Sequence, residues 1–112
     1  MSPSLYDFHG HSIRVVQIDN APWFIAADVC KALTVGNTTD ATLNLDLIEV
    51  QNYRVPGTKG RPNKIVSESG LYKIVLRSDK PDAKAFQAWV TGTVLPAIRK
   101  DGGFGIFRRR FL

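Results

Sequence analysis

The spacing of apolar residues in the C-terminal half constrains the fold most strongly. Leu71, Ile74 and Val75 recur at steps of three and four, the period of one face of an α-helix. The same period resumes beyond Pro81. Because Pro81 suits a first helical position and Pro96 removes a helix hydrogen bond, the pattern predicts two helices, the second kinked or restarted just before Pro96.

The N-terminal half has strand chemistry instead. "SIRVVQI" is rich in β-branched residues, "DNAP" is typical of a turn, and the segment "PGTKGRPN" holds two prolines and two glycines. Two β-hairpins are predicted, with strands at residues 12–18 and 23–26 and at residues 47–55 and 64–67. Short helices are predicted at residues 27–33 and 38–45, and Ser67 or Ser69 is the expected N-cap of the helix that ends at Arg77.

Length and composition limit the class of protein. The chain has 112 residues, enough for one compact domain, and 44% hydrophobic with 22% charged residues is typical of a globular chain. The sequence therefore predicts an α+β fold with two hairpins, several short helices and a C-terminal amphipathic helix broken at Pro96. No apolar run is long enough to span a bilayer, no signal peptide is visible, and a single cysteine, Cys30, fits a reducing cytoplasm.

The charge is segregated along the chain. The net charge is +5, yet residues 1–53 carry two basic and six acidic residues, whereas residues 54–100 carry ten basic and three acidic ones. Such segregation favours a surface of one sign, and the usual acidic partners are nucleic acid, anionic lipid or an acidic protein.

Two sets of basic residues are candidates for such a surface. The predicted loop of the second hairpin buries little, so its cations are free to reach outward, and the helical cations recur at steps of four, three and four. An ordinary solvated surface is the alternative for both sets. The hairpin set is Arg54, Lys59, Arg61 and Lys64, and the helical set is Lys73, Arg77, Lys80 and Lys84.

The sequence favours no catalytic or metal site. His9 and His11 supply two ligands at most, fewer than a metal site needs. Neither a G-x-S-x-G motif nor a phosphate-binding glycine loop is present, and the basic loop lacks the carboxylates of a metal-dependent nuclease. Trp23 and Trp89 have apolar neighbours and are predicted to be core residues, as is Cys30. We expect no catalytic residues, no metal and no cofactor.

A longer set of motifs carries a resemblance. In "SESGLYKIVLRSDKPDAKAFQAWVTGTVLPAIRKDGGF", the ordered elements E-S-G-L-Y, R-S, F-Q-x-W-V and V-L-P-x-I-R-K resemble the signature of the BRO family N-terminal domain, found in prophage antirepressors and baculovirus repeated proteins. The upstream "IRVVQIDNAPWFIAADVCKAL" resembles the start of the same domain. The resemblance spans residues 8–104 and departs from the family pattern at "LTVGN", where a Leu-Gly-aromatic turn is usual.

The resemblance implies an α+β fold and a role in nucleic-acid binding or phage regulation, without catalytic residues. It implies a domain at residues 1–104 and a basic extension at residues 105–112. It adds Arg99 and Lys100 to Arg77 as candidate phosphate contacts. The core positions that it implies are Trp23, Phe24, Leu71, Tyr72, Phe86, Trp89 and Ile98.

Charge and resemblance together lead to one main hypothesis: a phage- or prophage-derived regulator of the antirepressor type that binds double-stranded DNA in the bacterial cytoplasm. Arg61 is the expected base-edge contact because its planar fork lies at a loop tip. A homodimer is a further hypothesis, since such regulators often pair to read two half-sites. The alternative is a protein-interaction module that inactivates a phage repressor without touching DNA. A nuclease is a third, weaker reading.

Overall fold

The structure is a computed structural model that describes residues 4–33, 38–57, 59–78 and 81–102, with the backbone alone at residues 99–102. Lys80, the expected turn at residues 35–37 and the basic extension lie outside the described residues.

Five antiparallel strands form one sheet in the order β1-β2-β3-β5-β4, and helices pack on one of its faces. The α+β class predicted from the sequence is confirmed. The strands are β1 Ser4–Phe8, β2 His11–Ile18, β3 Ala21–Ile25, β4 Val50–Tyr53 and β5 Asn63–Ser67. The helices are α1 Ala26–Ala32, α2 Thr38–Thr42, α3 Glu68–Arg77, α4 Asp82–Trp89 and α5 Leu95–Gly102, with a π-helical turn at Val90–Val94 between the last two.

Both predicted hairpins are present, and a third was missed. Strand β1 precedes β2 and has a single buried residue, Phe8, so it lacks the alternation that marks a half-buried strand. Its turn to β2 uses His9 and Gly10, and the turn from β2 to β3 uses Asp19 and Asn20; all four have positive φ. Two-residue turns of this kind match the twist of antiparallel strands.

The predicted strand at residues 47–55 is too long. Residues 46–49 instead form a turn, in which the Glu49 amide donates to the Asp46 carbonyl at 2.8 Å and the Asp46 amide donates to Glu49 Oε1 at 3.0 Å. Strand β4 therefore begins only at Val50. The predicted helix at residues 38–45 likewise ends early, at Thr42.

The main core lies between the sheet and the helices. Phe8 and Phe86 meet edge to face with ring centroids 5.0 Å apart, and Trp89 packs beside both. Of the core residues implied by the family, Tyr72 and Trp89 are only partly buried, and the other five are buried. A smaller cluster occupies the opposite face of the sheet and consists of Val16, Trp23, Ile25, Val55 and Ile65.

Local rules explain how α3 begins and how the last helix is interrupted. The Ser67 hydroxyl accepts a hydrogen bond from the Gly70 amide at 3.2 Å, which confirms Ser67 as the N-cap. Pro81 precedes α4 as its cap residue rather than occupying the first helical position. The interruption predicted near Pro96 is the π-helical turn, because proline has no amide hydrogen to donate back along the helix. Among the described residues, no helix combines the length and apolar character that crossing a bilayer requires.

Candidate nucleic-acid interface

The loop between β4 and β5 presents the hairpin cations together. Arg54, Lys59 and Arg61 are exposed, and Lys64 is half-buried at the start of β5. The sequence has no carboxylate between Val50 and the end of β5. No described carboxylate lies within salt-bridge distance of Lys59 or Arg61. The loop therefore presents positive charge that no ion pair in the described part of the chain neutralises.

One side-chain hydrogen bond crosses this loop. Arg54 Nη1 donates a hydrogen bond of 2.6 Å to the Gly60 carbonyl across the loop. Gly57 and Gly60 have φ of 84° and 92°, values that suit glycine, and Val55 is buried in the small cluster beneath the sheet. Arg54 was predicted as a phosphate contact, and the structure gives it a bracing role as well.

Replacing Arg54 by methionine is expected to loosen the loop in the free protein. Trypsin cleaves after Lys59, whereas Pro62 protects the bond after Arg61. Loss of one hydrogen bond, about 1 kcal/mol, predicts about fivefold faster cleavage after Lys59. Limited proteolysis followed by mass spectrometry measures this rate. Lys64→Met, which removes a cation from the same hairpin without touching the brace, is the control; equal rates in the two variants would contradict the bracing role.

Lys73 on α3 lies at the other end of β4 and is engaged in a salt bridge. Its Nζ is 2.9 Å from Glu49 Oε1 and 3.7 Å from Asp46 Oδ2. The hydrogen bond from Lys73 holds the pKa of Glu49 below its ordinary value, and the same bond raises the pKa of Lys73. Because β4 separates this pair from the basic loop, Lys73 is better placed to hold the turn against α3 than to extend the loop's charged surface.

The Glu49 ion pair predicts a pH dependence of stability. Since the pKa of Glu49 is lower in the folded state, its contribution is present above the ordinary glutamate pKa and is lost as pH falls toward the folded value. Glu49→Gln is therefore expected to flatten the acid limb of a plot of unfolding free energy against pH. Urea titrations between neutral and acidic pH measure this, and Asp82→Asn, at an exposed carboxylate, is the control. An unchanged acid limb in Glu49→Gln would contradict the assignment.

Two of the remaining helical cations, Arg77 and Lys84, are exposed beside two different surface hollows. Arg77 is exposed beside a cavity of about 160 Å³ between α2 and α3, which Asp40 and Ile74 also line. Lys84 is exposed beside a separate groove of about 460 Å³ between α3 and α4. Lys80 and the side chains of Arg99 and Lys100 lie outside the described residues, so the continuous helical face stays a prediction.

His9 and Cys30, which the sequence analysis also considered, both pack against other side chains of the fold. His9 stacks on Phe8 with ring centroids 4.1 Å apart, and burial raises the pKa of the Cys30 thiol. In the described part of the chain, no three His, Cys, Asp or Glu side chains gather as a metal site requires. The ion pair between Arg14 Nε and Asp28 Oδ2, at 2.9 Å, was missed. Asp28 lies in the first turn of α1, and its described hydrogen bonds go to the backbone and guanidinium of Arg14.

The sequence of the chain matches the profile of a known protein family. The sequence profile of the BRO family, N-terminal domain, matches residues 12–96, which include β2 from its second residue, β3 to β5 and α1 to α4. The chain belongs to the BRO family N-terminal domain. The Bro-N family as a whole is associated with DNA-binding and antirepressor-type phage proteins.

Relatives of the Bro-N chain occur in a bacterium and in viruses. An uncharacterized protein of Haemophilus influenzae is 32% identical, covering 90% of this chain and 52% of the relative. Bro-N domain-containing proteins of Invertebrate iridescent virus 6 and Invertebrate iridescent virus 3 are 29% and 25% identical, covering 86% and 88% of this chain but 28% and 30% of their own lengths. The chain thus spans about half or less of these relatives. No solved structure matches it.

Part of the Bro-N signature is explained by how its residues pack. In E-S-G-L-Y, the glycine is Gly70, and a Cβ placed there would lie 2.9 Å from the Glu49 carbonyl oxygen. Leu71 is fully buried, and Tyr72 donates a hydrogen bond of 3.0 Å to Glu68. The signature residues therefore pack α3 against the turn before β4, whereas the basic loop lies at the opposite end of that hairpin.

Proposed function

We propose that the chain is a regulator of the antirepressor type that contacts double-stranded DNA through the β4–β5 loop. The observation that carries this proposal is the loop itself: Lys59 and Arg61 are exposed, no described carboxylate neutralises them, and the Arg54–Gly60 hydrogen bond pre-organises their backbone. A basic loop whose described backbone is held by such a hydrogen bond loses less conformational entropy when it meets a polyanion.

The first contact with DNA is electrostatic, and recognition of the base sequence follows. Lys59 and Lys64 neutralise phosphates, and each neutralised phosphate releases counterions. The Arg61 guanidinium, at the loop tip, presents the paired donors that recognise guanine in the major groove. Arg77 and Lys84 reach flanking phosphates, with Lys80, Arg99 and Lys100 completing the set predicted from the sequence. Lys73 contributes less because Glu49 balances its charge.

Fluorescence anisotropy tests whether the protein binds DNA at all. A labelled random duplex is titrated with the chain over a series of salt concentrations. The expected result is binding at about 50 mM salt, with an association constant that falls linearly on a log–log plot as salt rises. Absence of binding at that salt would contradict the proposal, and cleavage of intact plasmid on adding magnesium or manganese would favour the nuclease reading instead.

A second function is favoured by a separate observation. Leu47 and Ile48 are 89% and 81% exposed, and large exposed apolar residues mark protein-interaction surfaces. The chain could therefore act by binding a phage repressor without touching DNA. In that case, capture of a purified repressor would depend on Leu47 and Ile48 and would survive loss of the hairpin cations.

The proposal also includes the domain bounds, the basic extension, the phage origin and the cellular location expected from the sequence. A domain at residues 1–104 would carry the binding surface, and Arg108, Arg109 and Arg110 of the extension at residues 105–112 would add polyanion affinity without specificity. Origin from a phage or prophage, and action in the cytoplasm of a bacterial host, follow from the regulator hypothesis.

A further inference from the structure

The loop between β4 and β5 has one buried side chain. Among its described residues, 54–57 and 59–62, only Val55 is buried, with 7% of its surface exposed, and the others are exposed. Proline, glycine and charged residues give such a loop little to bury. A single aliphatic side chain that is nevertheless buried marks the place where the loop is attached to the body of the protein.

Val55 packs on the face of the sheet opposite the helices, in the small cluster. The strand register pairs Val16 with Trp23 and Ile25 with Ile65, and directly paired residues point to the same side of a sheet. These four side chains come from β2, β3 and β5 and form an apolar surface. Among the described residues, Val55 is the one buried member of the cluster that comes from a loop.

Two adjacent residues hold the loop in different ways. The exposed Arg54 donates a hydrogen bond of 2.6 Å from Nη1 to the Gly60 carbonyl, which lies between Lys59 and Arg61 in the chain. The next side chain, Val55, is buried against the sheet. Arg54 therefore joins the two arms of the loop, and Val55 joins the loop to the sheet.

We propose that Val55 is a positioning residue for DNA binding, a role that rests on the function proposed above. Its burial fixes the direction in which the loop presents Lys59 and Arg61. Without this anchor the loop keeps every cation but presents them correctly in a smaller fraction of molecules. The apparent affinity for DNA falls in proportion to that fraction, whereas the number of phosphates contacted in the complex stays the same.

Anisotropy titrations of Val55→Ala with a labelled random duplex over a salt series test this role. We expect about fivefold weaker binding at about 0.1 M salt, with the slope of log association constant against log salt unchanged. Removal of a cation that contacts a phosphate makes the slope shallower, so the two kinds of loss are distinguishable. A shallower slope in Val55→Ala, or an affinity equal to that of the unmodified chain, would overturn the positioning role.

Val15→Ala is the matched control for a general loss of packing. Val15 is buried like Val55, but it belongs to the main core on the helical face of the sheet. Val15→Ala should keep the affinity of the unmodified chain, and an equal loss in the two variants would overturn the proposal. Val55→Thr keeps the shape of the side chain and places a hydroxyl among apolar neighbours, so it provides the same test with a smaller expected loss if Val55→Ala does not fold.

Limited trypsin digestion without DNA tests the anchor independently. The rate of cleavage after Lys59 reports movement of the loop, and the rate after Lys73, within α3, reports opening of the whole fold. We expect the ratio of the first rate to the second to rise about fivefold in Val55→Ala and to stay unchanged in Val15→Ala. An unchanged ratio in Val55→Ala would overturn the anchor.

The two proposals fail in different ways. If the unmodified chain does not bind DNA, the proposed function is wrong, and the positioning role is wrong with it. If the unmodified chain binds DNA and Val55→Ala binds it equally well, only the role of Val55 is wrong.

Discussion

Replacing Lys59, Arg61 and Lys64 together by alanine is expected to lower the affinity for random duplex DNA by about one to two orders of magnitude at about 0.1 M salt. The reason is that Lys59 and Arg61 lie on the loop and Lys64 lies beside it at the start of β5, and no described carboxylate forms an ion pair with any of the three. The slope of log association constant against log salt should also become shallower by roughly 0.9 for each phosphate contact removed. Anisotropy titrations over a salt series measure both quantities.

The salt slope separates a direct contact from an indirect effect. Lys31→Ala, which removes an exposed cation on α1 in the acidic half of the chain, is the control for a change in net charge alone. It should leave affinity and slope close to those of the unmodified protein, whereas Lys59→Ala alone should lower both. If Lys31→Ala and Lys59→Ala behave alike, the binding surface is not the hairpin loop.

Gly70→Ala is expected to destabilise the fold by about 2 kcal/mol, a typical cost of overpacking a closed site. The added methyl group would lie 2.9 Å from the Glu49 carbonyl oxygen and 3.3 Å from a Leu45 side-chain carbon. That carbonyl already accepts the Ser67 amide, so it cannot move without breaking a second contact. Urea unfolding followed by circular dichroism measures the loss.

Gly92→Ala is the matched control for this substitution. It also lies within a helical segment, but a Cβ there meets nothing within 4 Å. Removing glycine from an uncrowded helical position stabilises by about 0.5–1 kcal/mol, so the two glycine variants should shift stability in opposite directions. A Gly70→Ala protein as stable as the unmodified chain would show that the turn and α3 do not pack as described.

Local chemistry made much of the fold predictable. The spacing of Leu71, Ile74 and Val75 indicated α3, and Ser67 was its cap because a hydroxyl at that point can accept a free amide hydrogen. Pro96 indicated the interruption of the last helix. These features depend on residues at most a few positions apart, where backbone geometry alone determines which groups can meet.

Longer-range contacts escaped prediction because no local pattern encodes them. Glu49 and Lys73 are 24 positions apart, and only the packing of α3 beside the turn brings them together. The exposure of Leu47 and Ile48 was missed because apolar, β-favouring residues were read as a strand. A signal was present in the D-x-x-E spacing of Asp46 and Glu49, which is typical of a capped turn.

The candidate site was predicted only in part. The grouping of Arg54, Lys59, Arg61 and Lys64 followed from a loop rich in proline and glycine between two strands, since such a loop cannot bury its cations. The bracing hydrogen bond from Arg54 to Gly60 could not be predicted, because it depends on how two positive-φ glycines fold the loop back. The ion pair between Lys73 and Glu49, which sets Lys73 apart from the cations of the loop, could not be predicted either.

An NMR titration of the ¹⁵N-labelled full chain with a short duplex tests the location of the DNA contact most directly. We expect the largest changes in amide and arginine side-chain resonances to fall within residues 54–64, and we expect added salt to reverse them. Smaller changes are expected near Arg77 and Lys84. Changes confined to residues 43–48, or an unchanged spectrum at about 50 mM salt, would contradict the claim that the β4–β5 loop binds DNA.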